Sequence, residues 1–120
     1  MKRLLVTGSR NWDDVTTIKL ALNHAVNYLD DQVTLVHGAC PTGADDIADD
    51  LFTYANLGPV EAHPADWDTH GKRAGFLRNS LMVDLGADLC LAFINNESRG
   101  ATMTANLAEK AGIRTWRYTE

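Results

Sequence analysis

Three short stretches gather residue types that bind anions. Gly8-Ser9-Arg10-Asn11-Trp12 joins a glycine, which permits close backbone approach, to a hydroxyl and a guanidinium fork suited to phosphate or carboxylate. The same residues also read as a plain turn with a surface arginine. Gly38-Ala39-Cys40-Pro41-Thr42-Gly43-Ala44-Asp45 has the Gly-x4-Gly spacing of a P-loop, but Ala44 and Asp45 stand where Lys and Ser/Thr are required. The missing lysine argues against nucleoside-triphosphate hydrolysis. A glycine-rich turn into a helix start still presents N–H groups to an anion. Asp45 either bonds ribose hydroxyls, as acids do in dinucleotide folds, or closes a Thr42-x-x-Asp45 capping box and never meets ligand. Ser98-Arg99-Gly100-Ala101-Thr102 offers two hydroxyls, a guanidinium and a helix N-terminus together, a phosphate cradle on physical grounds or a Ser N-cap beside a solvated arginine.

A fourth stretch runs from His63 to Lys72. Its His-x2-Asp-x-Asp-x-His pattern has metal-ligand residue types, yet no regular element brings them together, so no metal is expected. Trp67 there is either a lid over a base or packing for a helix end. Gly75, Arg78 and Asn79 follow on the next predicted helix. Arg78 either reaches the crevice or pairs with Asp84 or solvent.

The elements that must position these loops are legible from hydrophobic period. Leu4–Thr7 reads as a buried strand, and Asp13 or Asp14 caps a helix over Val15–Leu29 with Val15, Ile18, Leu22, Ala25, Val26 and Leu29 on one face. Val33–Val36 is a second strand, followed by a helix carrying Ala44, Ile47, Ala48, Leu51, Phe52 and Ala55. Val60–His63 is a short strand, Pro64 to Lys72 is irregular, and Arg73–Leu85 is helical. Leu89–Ile94 is apolar throughout, hence a strand buried on both faces. Gly100–Ala111 is the last helix and Arg114–Tyr118 an edge strand. This β/α alternation predicts an α/β, three-layer Rossmann-like fold with a mostly parallel five-stranded sheet in the order 3-2-1-4-5. In that order every informative loop lies at the carboxyl ends of the strands, beside the switch point between the first and fourth.

The 120 residues form one domain, 1–120, long enough for a single core. A net charge of −5 gives no bulk electrostatic case for nucleic acid or an anionic membrane. Five of the eleven Lys and Arg, however, fall in or beside the loops above (Arg10, Lys72, Arg73, Arg78, Arg99), a local anion pocket on an acidic protein. Cys40 and Cys90 have no CxxC partners, so free thiols in a reducing compartment are expected. With no signal peptide and no transmembrane-length run, a cytoplasmic location is expected.

VTGSRNW, HGACPTGADDIA, HPADWDTHGKRAGFLRN and SRGATMTANLAEKAGI, in this order and spacing, resemble the YspA-type (cpYpsA-related) branch of the SLOG superfamily across nearly the entire chain. That superfamily includes the Lonely-Guy (LOG) phosphoribohydrolases, and small branches like this one occur in phages and bacterial conflict systems. The resemblance implies a Rossmann-like fold and a site for a nucleotide-derived small molecule, of the NAD, ADP-ribose or nucleoside-phosphate kind. Its implied ligand-facing set is Gly8, Ser9, Arg10, Gly38, Gly43, Asp45, Trp67, Lys72, Gly75, Arg78, Asn79, Ser98, Gly100 and Thr102. The LOG motif PGGxGTxxE supplies a glutamate for N-glycosidic cleavage. Here the corresponding stretch, Glu97 to Thr104, has one glycine fewer, Ala101 in place of Thr and no acid at that spacing. Phosphate binding survives this departure better than LOG catalysis does.

Three functions follow as expectations. The first is binding of a nucleotide-derived ligand as sensor, carrier or sponge, with no cofactor. The second is an N-glycoside hydrolase, for which Asp45, Asp66, Asp68 or Glu97 would activate water and Arg78 or Arg10 hold the phosphate, Asp45 and Arg78 being the catalytic candidates. The third is an interaction protein with a vestigial site. Trp116, Tyr118, Leu81 and Met82 are candidates for self-association there, and homo-oligomers are common among LOG-like relatives.

Overall fold

Five parallel strands lie in the order β3-β2-β1-β4-β5. The computed structural model describes residues 1–96 and 98–120, so Glu97, one of the carboxylates considered for hydrolysis, lies outside the described residues. The strands are β1 (Lys2–Gly8), β2 (Val33–His37), β3 (Val60–Ala62), β4 (Leu89–Ile94) and β5 (Thr115–Thr119). The helices are α1 (Val15–Leu29), α2 (Ala44–Tyr54), α3 (Trp67–His70), α4 (Ala74–Leu85) and α5 (Arg99–Lys110), with one 3-10 turn at Gly71–Arg73. This is the α/β three-layer Rossmann-like fold. β1 pairs with β2 on one side and β4 on the other, Leu5 opposite both Val36 and Cys90. The chain therefore reverses its direction of travel across the sheet between β1 and β4, where a crevice opens above the carboxyl ends.

Side-chain alternation along β1 builds a core on each face. Leu4 and Val6 point into the larger one, with Leu35, Leu89, Leu91 and Phe93 against Ile18, Leu22, Ala48 and Phe52 of α1 and α2. Leu5 points to the other, with Val36, Cys90, Met82, Val83 and Ala108. Trp12, in the first informative loop, belongs to the core rather than to a ligand. It is 2% exposed, meets Phe93 edge-on at 5.5 Å and donates its indole N–H to the Asp14 carbonyl at 3.0 Å. That anchor fixes the end of the β1 loop, and Asp14, not Asp13, caps α1 by accepting from the Thr17 N–H at 3.1 Å.

One sequence expectation changes. The stretch expected to be irregular from Pro64 to Lys72 contains α3, because Asp66 accepts from the Thr69 N–H at 3.1 Å and caps a single turn. Trp116 and Tyr118 pack on their own chain. Tyr118 stacks on Phe93 at 5.0 Å and Trp116 meets Tyr28 edge-on at 5.1 Å, while Met82 is buried and Leu81 stays half exposed. Cys40 and Cys90 are both free. Among the described residues no helix is long and apolar enough to cross a membrane.

Candidate functional site

The crevice above β1, β2 and β4 is a cleft of about 810 Å³, within the range of small-molecule sites. The β1 loop supplies Gly8, Ser9, Arg10 and Asn11; the β2 loop Gly38 to Pro41 and Asp45; α3 and α4 supply Trp67, Gly75, Phe76, Arg78, Asn79 and Met82 as a roof; and the α5 start supplies Ser98 to Ala101 and Met103. Gly43, Lys72 and Thr102 do not line it. Thr102 instead lines a shallower groove between α5 and β5.

Several side chains expected to face a ligand turn out to hold the loops together. Ser9 is 1% exposed and stitches β1 to β4, its Oγ accepting from the Asn95 N–H at 2.9 Å and donating back to the Asn95 carbonyl at 3.4 Å. A Cβ on Gly8 would sit 2.3 Å from the Ala44 Cβ, so this glycine lets α2 approach the sheet. Gly43 has φ +77° and a Cβ there would lie 2.2 Å from the Ser9 carbonyl oxygen. It lets the β2 loop lie against the β1 loop, and the Thr42 hydroxyl adds a bond to the Arg10 carbonyl at 2.9 Å. Thr42 is thereby spent and Gly43 occupies the N-cap position without a side-chain bond, so the Thr42–Asp45 capping box does not form.

Asp45 reaches backwards instead. Its Oδ2 accepts from the Gly38 N–H at 3.2 Å and the Cys40 N–H at 3.3 Å. The intervening Ala39, held at φ +60°, gives its N–H to His37 Nδ1 at 2.9 Å. That bond makes Nδ1 the acceptor and leaves the proton on Nε2, which faces Asp49 at 2.6 Å. Three N–H groups of the β2 loop are thus consumed internally, and the expected anion cradle there is filled by the chain's own carboxylate. Asp45 is 6% exposed and its Oδ1 has no hydrogen-bond partner among the described residues. Burial raises the Asp45 carboxyl above its ordinary range, against the opposing pull of its two N–H donors and Arg78.

Arg78 is the strut of the roof and does not pair with Asp84. Its Nη1 donates to the Gly38 and His63 carbonyls and its Nε to Asn79 Oδ1 at 2.7 Å. Gly38 has no side chain because the guanidinium lies there: a Cβ would meet its Cζ at 2.8 Å. Nη2 makes no hydrogen bond among the described residues and lies toward Gly75. Burial lowers the Arg78 guanidinium below its ordinary value, and the positive charge of Arg10 adds to the fall, while Asp45 and Cys40 oppose it. Arg10 is exposed, with its Cζ 6.0 Å from the centre of the Trp67 ring, and Trp67 lies over Gly75. The two guanidiniums therefore share one cleft. Neither is ion-paired with a carboxylate among the described residues.

At the far wall α5 begins with Ser98 as N-cap. No side chain caps it among the described residues, and its first turn carries no acid. The metal-type residues do not converge. His63 pairs with Glu61 at 2.6 Å, Asp66 caps α3, and no group of three or more His, Cys, Asp or Glu comes together among the described residues. Neither Asp66 nor Asp68 lines the cleft. Phe76 and Met103, which line the cleft, are not singled out by the sequence, and Met82, which also lines it, is named there only for self-association. An apolar side chain facing a cleft has the same spacing as one facing the core.

The profile of the YspA, cpYpsA-related SLOG family matches residues 2–70, more than half of the chain. The chain belongs to that family. It is also 46% identical over 119 residues to the Gene 61 protein of Mycobacterium phage D29, covering 94% of this chain and 93% of that protein. No solved structure matches it. In this SLOG domain Thr104, within the stretch compared above with the LOG motif, is fully buried and donates its hydroxyl to the Gly100 carbonyl at 2.9 Å.

Proposed function

We propose that this SLOG domain binds a nucleotide or nucleotide-derived ligand, with a phosphate between Arg10 and the N-terminus of α5. The observation that carries this reading is three guanidiniums, Arg10, Arg78 and Arg99, lining one cleft of an acidic protein without an ion-paired carboxylate among the described residues. An anion in the cleft relieves their mutual repulsion, and the α5 N-terminus adds N–H groups and a favourable dipole. Trp67 and Phe76, both half exposed on the roof, offer flat apolar surface for a base. Family membership agrees with a nucleotide-related ligand.

Binding is favoured over N-glycoside hydrolysis because Asp45 is the one carboxylate lining the cleft among the described residues. Its Oδ2 is already spent on two N–H groups of the chain and the side chain is 6% exposed, so it is held within the loop rather than presented to a substrate water. The test is calorimetric titration with AMP, ADP-ribose, NAD and adenosine. Binding of a phosphorylated member with adenosine far weaker supports the reading; silence across the whole series overturns it.

A further inference from the structure

We propose that the outer face of α4 is an interface on which a second copy of this chain packs its own α4 in the antiparallel sense. Asn79, Met82 and Val83 turn one side of the helix into the protein. On the opposite side Leu81 and Leu85 are half exposed, Leu77 is only partly covered, and Phe76 stands half exposed at the edge. Leu77, Leu81 and Leu85 recur every four residues, so they form one ridge along the helix. Apolar residues on both sides are the pattern of a buried helix, not of a surface one. The outer faces of its neighbours are polar by contrast, with Asp46, Asp50 and Thr53 exposed on α2 and Asn106, Glu109 and Lys110 on α5.

The charges around the ridge point to what covers it. Lys72 and Arg73 precede the first turn of α4 and Asp84 lies in its last, while the first turn holds no acid and the last no base. That order opposes the dipole of the chain's own helix. All three charges are exposed, and none is ion-paired among the described residues. Two α4 helices laid antiparallel, crossing midway between Leu77 and Leu81, set Leu77 of each copy against Leu81 of the other. Arg73 of each copy then falls within about 2 Å, along the axis, of Asp84 of the other. The twofold axis makes this pair twice, and each basic helix start lies beside the acidic end of its neighbour. The face is thus its own complement in shape and in charge, which favours a second copy over an unrelated protein. A helix of 12 residues is about 18 Å long. Two such helices bury less than the roughly 1,600 Å² of a standard interface, so a dissociation constant of about 10–100 μM is expected. Arg78, Asn79 and Met82 line the cleft from the same helix, so α4 turns one side to the ligand site and the other to the second copy.

The test is sedimentation equilibrium of the full chain across about 1 to 500 μM. The native chain is expected to show a monomer–dimer equilibrium. Leu77→Glu and Leu81→Glu should each weaken it by about tenfold or more, while Leu20→Glu, at an exposed leucine of α1, leaves it unchanged. Arg73→Glu alone and Asp84→Arg alone should each weaken the dimer by about tenfold, and the chain carrying both should recover to within about threefold of the native value. Arg73 and Asp84 are exposed, so these exchanges leave folding intact, which the urea midpoint of each variant checks. A monomer at every concentration overturns the proposal. So does a dimer that Leu77→Glu and Leu81→Glu leave unchanged. Charge exchanges without effect, or single exchanges that weaken the dimer with no recovery in the chain carrying both, overturn the antiparallel pairing.

Discussion

Two helix N-termini open on the same edge of this sheet, and they are finished in opposite ways. At α2 the first turn carries Asp45 and Asp46, and Asp45 folds back to take the Gly38 and Cys40 N–H groups. At α5 the first turn carries no acid and, among the described residues, no side chain caps Ser98. Both satisfy the sequence rule that a polar or glycine-rich turn entering a helix attracts an anion. At α2 the anion is the protein's own carboxylate; at α5 no side chain among the described residues takes that place. The difference teaches that a motif of this kind marks where negative charge will sit and leaves open whose charge it is.

The comparison breaks most severely if the two loops at α2 lose their contact. Gly43→Ala puts a Cβ against the Ser9 carbonyl at a positive φ, and is expected to lower stability by about 3 kcal/mol, read from the urea midpoint. Asp45→Ala leaves the Gly38 and Cys40 N–H groups without their acceptor and is expected to cost about 2 kcal/mol. Phosphate or sulfate should restore part of that loss in this variant and not in the wild type. No difference between the two in their response to phosphate would end the idea that Asp45 stands in for an anion.

At α5 the matching substitution is on the ligand side. Arg10→Ala is expected to weaken a phosphorylated ligand by about tenfold or more, with little change for its dephosphorylated form and no loss of stability. An equal loss for both forms would place the phosphate elsewhere.

A pH series separates the α2 carboxylate from an ordinary surface one. Asp45 is raised by burial, so the folded chain holds this proton more tightly than the unfolded chain. Its contribution is greatest at low pH and is lost as pH rises from the ordinary aspartate range through its elevated folded value. Glu61 has the opposite sign. Its hydrogen bonds to Arg3 and His63 lower it to about 2, so its contribution is present above about 4.5 and is lost as pH falls toward 2. Denaturant midpoints against pH for Asp45→Asn and Glu61→Gln should each remove one slope and leave the other. The smallest effect is expected at Lys72, which lies outside the cleft; Lys72→Ala should leave affinity within about twofold.

Much of the frame was legible because it depends on local pattern. The alternation of Leu4, Leu5 and Val6 in β1, the unbroken apolar run of β4 and the helical spacing in α1 and α2 each report burial directly, and handedness then leaves few sheet orders. The loops that carry the site were also legible as loops. The direction of their groups was not. Ser9 looked like a ligand hydroxyl and is a stitch to Asn95; Gly8 and Gly43 looked like phosphate glycines and are points where chain passes chain.

By itself, then, the sequence determined a Rossmann-like sheet, the edge on which chemistry gathers and the residues brought there, because hydrophobic period and turn residues act within a few positions of themselves. Only the tertiary structure decided which donors remain available. That depends on partners far away in the chain: Asn95 for Ser9, Gly38 and His63 for Arg78, the Ser9 carbonyl against Gly43. A buried donor is satisfied by whichever acceptor folding brings within hydrogen-bond distance, and sequence spacing does not contain that distance.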